Sequence, residues 1–196
     1  MKQKISDAVA EKFIAEGVIE EADKEIYAYG WRALGMWLFC TATLFIIGIG
    51  MGEFLFTLIY FISYSIIRAY YDGYHANSRV VCYLTSSALF ICCILFGKYV
   101  IPNANQLVLW MSLLILCICM NIIKVAEYMH IQIEEEDAPY EKKKLFAGII
   151  IMLLMLLIFG VMKTVQFTTG SSAIYIAFML AGVLFCIKRM VQKNNR

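Results

Sequence analysis

Residues 145–162 read LFAGIIIMLLMLLIFGVM, an unbroken apolar run that follows Lys142–Lys144 and precedes Lys163. An apolar run of roughly 18 residues is long enough to cross the hydrocarbon core of a bilayer as a helix. The composition of the whole chain agrees, since 62% of its 196 residues are hydrophobic and only 16% are charged. Soluble domains carry about 25% charged residues. We therefore expect an integral membrane protein.

Other apolar segments complete the expected membrane domain. The predicted helices lie near residues 31–50, 53–67, 80–97, 106–123, 145–162 and 172–187. The second and sixth segments are short for a core of about 30 Å, so tilt or local thinning has to absorb the difference. The expected fold is all-α, with about six transmembrane helices and an N-terminal amphipathic helix. Four spans with two re-entrant segments remain an alternative.

Turn signals separate some of these segments. The Gly48–Gly52 stretch, GIGMG, predicts a tight turn between the first two segments, and Pro102 predicts a break between the third and fourth. Small residues such as Gly48, Gly50 and Gly52 also permit close helix approach, so a homodimer is a further expectation.

The N-terminal residues 3–28 have the pattern of one amphipathic helix. Ile5, Val9, Phe13 and Ile14 recur at helical spacing, while charged residues fill the other face. Such a helix either lies at the membrane surface or packs on the bundle as a soluble cap. No removable signal peptide is indicated. We expect an N-terminal segment over 1–30, a membrane domain over 31–190 and a tail over 191–196.

The basic residues predict the orientation. Of the 17 lysines and arginines, all except Lys98 and Lys163 fall in the N-terminal stretch up to Arg32, the 68–79 loop, the 124–144 loop or the C-terminal stretch from Lys188 onwards. Cytoplasmic loops of membrane proteins are enriched in such residues. We therefore expect both termini in the cytoplasm, with residues 68–82 at the cytoplasmic face.

The stretch DGYHANSRVVC, residues 72–82, has the residues of a thiol nucleophile and its base. Asn77 and Ser78 are good N-cap residues, so the third span is predicted to begin there. Cys82 then falls in the first turn or just beyond it, where the helix dipole favours a thiolate. His75, seven residues earlier, is the candidate general base.

Geometry sets a condition on this pair. In one unbroken helix, residues seven apart lie about 10.5 Å apart along the axis, which is too far for a hydrogen bond. The chain must bend ahead of the helix, and Gly73 tolerates such a bend. The functional interpretation therefore requires a break between His75 and Cys82.

The remaining candidates for site chemistry are few. The other six cysteines lie inside apolar runs, where cysteine packs as a small hydrophobic residue, and their spacing suggests neither disulfides nor a metal site. The two histidines, His75 and His130, are far apart in the sequence. We expect no metal, no cofactor and no nucleic-acid partner.

The sequence RAYYDGYHANSRVVCYLTSS resembles the core motif of the accessory gene regulator B (AgrB) family. That family shows an arginine, then GGxHA, then a cysteine seven residues after the histidine. Arg68, Gly73, His75, Ala76 and Cys82 fall on this pattern. The chain length, the charged N-terminal segment ending in EIYAYG and the basic cluster before the fifth span are also similar.

Two features depart from the family pattern. Asp72 replaces the first glycine of the pair, and could orient His75 or simply tolerate the turn. The proline-rich segment often seen before the basic cluster is reduced to DAPYEKKK. The departures concern peptide handling and leave the nucleophile and base in place.

The resemblance implies a membrane-embedded cysteine endopeptidase of the bacterial plasma membrane. Such an enzyme cleaves an AgrD-like precursor signal peptide on the cytoplasmic side and promotes its cyclisation to a thiolactone or lactone quorum-sensing signal. Cys82 is the implied nucleophile and His75 the implied base. The alternative is a non-enzymatic transporter subunit or scaffold, in which Cys82 only packs.

Four residues are candidate supporting groups. Arg68 ends the second span, as a snorkelling anchor, a partner of Asp72 or a clamp for a substrate carboxylate. Gly73 supplies the bend. Asn77 or backbone amides near Cys82 are candidate donors to the tetrahedral oxyanion.

Overall fold

A computed structural model of the chain describes residues 3–71, 78–130, 138–165 and 168–194. Seven α-helices are found in these ranges: α1 (Gln3–Ala15), α2 (Lys24–Gly50), α3 (Phe54–Tyr70), α4 (Arg79–Tyr99), α5 (Gln106–His130), α6 (Ala138–Thr164) and α7 (Thr168–Asn194). Short 3-10 helices lie at Glu21–Asp23 and Ile101–Asn103. The described residues form no strand, which confirms the all-α prediction.

Each of the six predicted apolar segments corresponds to a helix, and only the segment 53–67 begins one residue before its helix. Five helices, α2 and α4 to α7, are long and apolar enough to cross a membrane, while α3 has only 17 residues. The expectation that the sixth segment is short is wrong, because α7 has 27 residues. Its polar start, TTGSS, and its basic end continue the helix beyond the apolar run. The chain is a multi-pass membrane protein.

The N-terminal region contains a break that the amphipathic pattern did not predict. The single helix expected over residues 3–28 is wrong, since α1 ends at Ala15 and α2 begins at Lys24. Gly17 has a φ of +69°, a left-handed conformation that suits glycine and ends the helix. EIYAYG, expected to close the N-terminal segment, lies inside α2.

The chain divides into two compact units, Met1–Ile47 and Gly48–Arg196. In the first unit, α1 lies beside the start of α2. The rings of Phe13 and Trp31 stack with centroids 6.1 Å apart. Lys24 Nζ donates to Glu11 Oε1 at 2.9 Å.

In the second unit α7 is the central helix. It contacts α3, α4, α5 and α6, and 67% of its span is buried, against 22–28% for α4, α5 and α6. Small buried residues at its start, including Ser171, Ser172 and Ala173, let α3 approach closely. Ser171 Oγ donates to the Thr168 carbonyl at 3.0 Å, which satisfies that buried hydroxyl.

Two predicted breaks are confirmed. The chain turns at Met51 and Gly52, with a φ of +72° at Gly52, and the 3-10 helix at Ile101–Asn103 separates α4 from α5. A Cβ added to Gly48 would lie 1.9 Å from Thr57 Oγ1. The close approach at Gly48 is therefore made within the chain, to α3.

Two basic groups lie in helices although the sequence analysis assigned them to a loop. Lys124 is part of α5, and Lys142–Lys144 belong to α6, which begins at Ala138. Lysine has good helix propensity, so the helices extend past the apolar runs. Residues 131–137, which include the four consecutive acidic residues Glu134–Asp137, lie outside the described residues.

Candidate active site

Cys82 lies at the N-terminal end of α4, as predicted. Ser78 is the N-cap residue, with an extended backbone at φ −101° and ψ 131° and no side-chain cap hydrogen bond. Arg79 is the first helical residue, so Cys82 is the fourth. Its backbone N–H donates to the Ser78 carbonyl at 2.9 Å, and the residue is partly exposed. The N-terminal end of a helix favours negative charge, which suits a thiolate.

The break required by the His75–Cys82 pairing is present at Ser78. Because Ser78 is extended, no straight helix joins positions 75 and 82. Asp72, Gly73, His75 and Asn77 lie outside the described residues, so their roles stay predictions.

Arg68 lies in the last turn of α3, as expected for a residue that ends a span. Its Nη1 donates to the Tyr64 hydroxyl oxygen at 3.3 Å. The guanidinium carbon also lies 5.7 Å from the Tyr64 ring centroid, within the range of a cation–π contact. Tyr64 therefore contacts the Arg68 guanidinium in two ways.

An aromatic stack along α3 was not predicted from the sequence. It consists of the rings of Phe56, Tyr60 and Tyr64, and together with Arg68 at its end we call it the α3 ladder. Its three rings stack nearly parallel, with centroids 6.2 and 5.6 Å apart and interplanar angles of 8°. The four-residue spacing was the available signal, because residues four apart share a helix face.

Tyr71, directly after α3, is a second residue that the sequence analysis missed. It is 2% exposed, and its hydroxyl donates to Asn121 Oδ1 of α5 at 2.6 Å. Its ring meets that of Phe185 in α7 edge-on, with centroids 5.7 Å apart. Burial raises the pKa of the Tyr71 phenol, which keeps the hydroxyl protonated as a donor. An asparagine inside an apolar run was the only local signal for this contact.

A charged cluster lies at the same end of the second unit. Glu127 of α5 accepts a hydrogen bond from Arg189 of α7, and Lys124 Nζ lies 3.6 Å from Glu127 Oε2. The Arg189 guanidinium lies 5.3 Å from the centroid of Phe185, the ring that contacts Tyr71. The ends of α3, α5 and α7 therefore meet here.

Two buried cysteines and one ion pair lie away from Cys82. Cys93 and Cys117 are buried within spans, and no group of three or more His, Cys, Asp or Glu among the described residues is arranged to hold a metal. A small pocket of about 100 Å³ lies at the opposite ends of α3 and α4, beside Glu53, Lys98 and Thr168. Lys98 and Glu53 form an ion pair there, with Nζ and Oε1 2.8 Å apart.

Comparison with known proteins extends the resemblance to accessory gene regulator B over most of the chain. The sequence profile described as Accessory gene regulator B matches residues 6–187. Accessory gene regulator protein B of Staphylococcus aureus strain JH9 is 31% identical over 140 residues, which cover 70% of this chain. The chain spans 66% of the length of that relative.

An AgrB-like protein of Clostridium perfringens strain SM101 is 35% identical over 92 residues, covering 47% of this chain and 43% of that protein. No solved structure matches the chain. The match to residues 6–187 includes the motif at residues 68–82 and all or most of each span. This chain belongs to the accessory gene regulator B family.

Proposed function

We propose that this chain is a membrane-embedded cysteine endopeptidase that cleaves an AgrD-like precursor peptide and promotes its cyclisation to a thiolactone or lactone signal. The observation that carries the proposal is the position of Cys82. It is a partly exposed cysteine four residues into α4, directly after a break at Ser78. Membership of the AgrB family supports it.

The Cys82 thiol and the His75 imidazole carry out the steps of the proposed reaction. His75 takes the proton of the Cys82 thiol, and the thiolate attacks the scissile carbonyl, forming an S–C bond and moving the carbonyl π pair onto oxygen. Collapse of this oxyanion breaks the C–N bond, and the leaving amine takes the proton from His75. The N-terminal part of the precursor then remains on Cys82 as a thioester.

Ring closure needs no external energy source. A cysteine or serine within the bound peptide attacks the thioester, which closes the ring and restores the Cys82 thiol. When a cysteine of the peptide attacks, the product is a thiolactone, which is itself a thioester. Little free energy therefore separates it from the thioester on Cys82. Water would hydrolyse the intermediate, so the partial exclusion of water near a membrane favours cyclisation.

The proposed orientation places this chemistry at the cytoplasmic face of the plasma membrane, with both termini in the cytoplasm. The structure supports it by gathering Arg68, Lys124 and Arg189 at the end that holds Tyr71. Lys98 lies at the other end of α4 from Cys82. Such an asymmetry matches the positive-inside rule. The proposed partners are the precursor, the bilayer and a second copy of the chain.

The test is precursor cleavage by purified protein in lipid nanodiscs. We expect Cys82→Ala and His75→Ala each to abolish cleavage of the precursor encoded beside the gene, because each removes a group that makes or breaks a bond. Cys119→Ala, which removes an exposed cysteine from α5, is the matched control and keeps cleavage. Mass spectrometry of the products measures the result. Normal cleavage by either site variant removes the assignment and favours the transporter or scaffold.

A further inference from the structure

The α3 ladder packs against α4, the helix that bears Cys82. A Cβ added to Gly97 of α4 would lie 2.5 Å from Phe56 Cε2, so this ring sits directly on the α4 backbone. One turn further along α3, the rings of Tyr60 and Phe90 lie 5.1 Å apart. Phe56 and Tyr60 are 3% and 4% exposed, so this part of the ladder is fixed by packing.

The contacts define the relative direction of the two helices. As α3 runs from Phe56 to Tyr60, its neighbours on α4 run back from Gly97 to Phe90, which is the direction of Cys82. The helices are therefore antiparallel along this face. Arg68, one turn beyond Tyr64, comes at the Cys82 end of the ladder.

The proposed reaction needs a positively charged or hydrogen-bond-donating group near Cys82. Attack by Cys82 places a full negative charge on the former carbonyl oxygen, and fixed donors aimed at such an oxyanion lower the barrier. A guanidinium is permanently charged and presents several donors in a rigid plane. A charge beside a water-poor membrane boundary also acts more strongly than one in bulk water.

We propose that Tyr64 is a positioning residue that holds the Arg68 guanidinium towards Cys82, where the guanidinium stabilises the oxyanion of the attack. The inference rests on the proposed function and adds to it the oxyanion donor that the sequence motif leaves unidentified. Tyr64 acts through the hydroxyl that accepts from Nη1 and through its ring face. Its own ring is held by the stack on Tyr60.

Removing one hydroxyl tests this role. Tyr64→Phe keeps the ring, its stack and the cation–π contact, but removes the acceptor for Arg68. The matched control is Tyr175→Phe, which removes another largely buried phenol whose hydroxyl pairs with Ser112 Oγ of α5 at 2.9 Å. The measured quantities are the single-turnover rate of thioester formation on Cys82, the KM for the AgrD-like precursor in nanodiscs, and the thermal stability.

We expect Tyr64→Phe to lower the thioester rate at saturating precursor by about tenfold with KM unchanged, as for loss of a contact made in the transition state. Tyr175→Phe should change the rate by less than about twofold, within the range of an uncoupled distant site. In an Arg68→Lys background, Tyr64→Phe should have no further effect, because both changes remove one interaction.

Three results would overturn the inference. Equal rate losses in Tyr64→Phe and Tyr175→Phe would show that any phenol hydroxyl matters equally. Fully additive losses in the Arg68→Lys background would show that Tyr64 does not act through Arg68. If the unmodified chain forms no thioester, the proposed function fails as well, and that failure is visible before any variant is compared.

Discussion

Among single residues, its place at a helix N-terminus distinguishes Cys82 from the other cysteines, two of which, Cys40 and Cys186, are also partly exposed. Cys93 and Cys117 are buried in spans, whereas Cys92 and Cys119 are exposed within the apolar length of α4 and α5. Cys82 is partly exposed at a helix N-terminus instead. Among the seven cysteines, only Cys82 combines partial exposure with a position at a helix N-terminus.

This difference predicts selective labelling. A water-soluble electrophilic thiol reagent should modify Cys82 about tenfold faster than any other cysteine of the chain, since the thiolate is the reactive form. His75→Ala should remove most of that advantage by removing the base. Peptide mapping after timed quenching measures each rate. Uniform labelling of the exposed cysteines would count against an activated thiol.

The sequence motif predicts the position of the nucleophile but not the side chains around it. The start of α4 after Ser78 and the position of Arg68 at the end of α3 follow from local rules, and both are confirmed. The bond between Tyr71 and Asn121 joins residues 50 positions apart, so no local spacing predicts it. Ring stacking in the α3 ladder also depends on rotamers that spacing alone does not determine.

At the scale of helices, hydropathy located every span but misjudged some ends. An apolar run marks the part of a helix that meets lipid, whereas polar ends can remain helical beyond it. This is why α7 is longer than its apolar run and why Lys142–Lys144 lie inside α6. The break at Gly17 was missed because the apolar pattern continues on both sides of it.

The turn between α2 and α3 supports a stability prediction. Gly48→Ala should destabilise the protein by about 1–3 kcal/mol, because the new Cβ would overlap Thr57 of α3 and force the packing apart. Gly50→Ala is the control, since an added Cβ there meets nothing within 4 Å. Thermal unfolding in the same detergent compares the two variants. Equal loss in both would mean that contact with Thr57 is not the cause.

At the scale of the whole molecule, the candidate site lies where several helix ends meet. Tyr71 contacts α5 through Asn121 and α7 through Phe185, directly before the segment that bears His75. The ladder packs on α4 in the antiparallel direction, which brings the Cys82 end of α4 towards the last turns of α3. Charged and hydroxyl-bearing side chains of α3, α5 and α7 thus come together at this end of the second unit.

The proposed mechanism requires a covalent bond between Cys82 and the precursor. The most direct measurement is the intact mass of the protein after incubation with its AgrD-like precursor in nanodiscs and acid quenching. We expect the mass to increase by that of the acyl group formed from the N-terminal fragment of the precursor, and peptide mapping should locate this adduct on Cys82. Hydroxylamine should remove the adduct, and Cys82→Ala should not form it. Cleavage of the precursor that proceeds without this adduct, at the same rate in Cys82→Ala, would contradict the account.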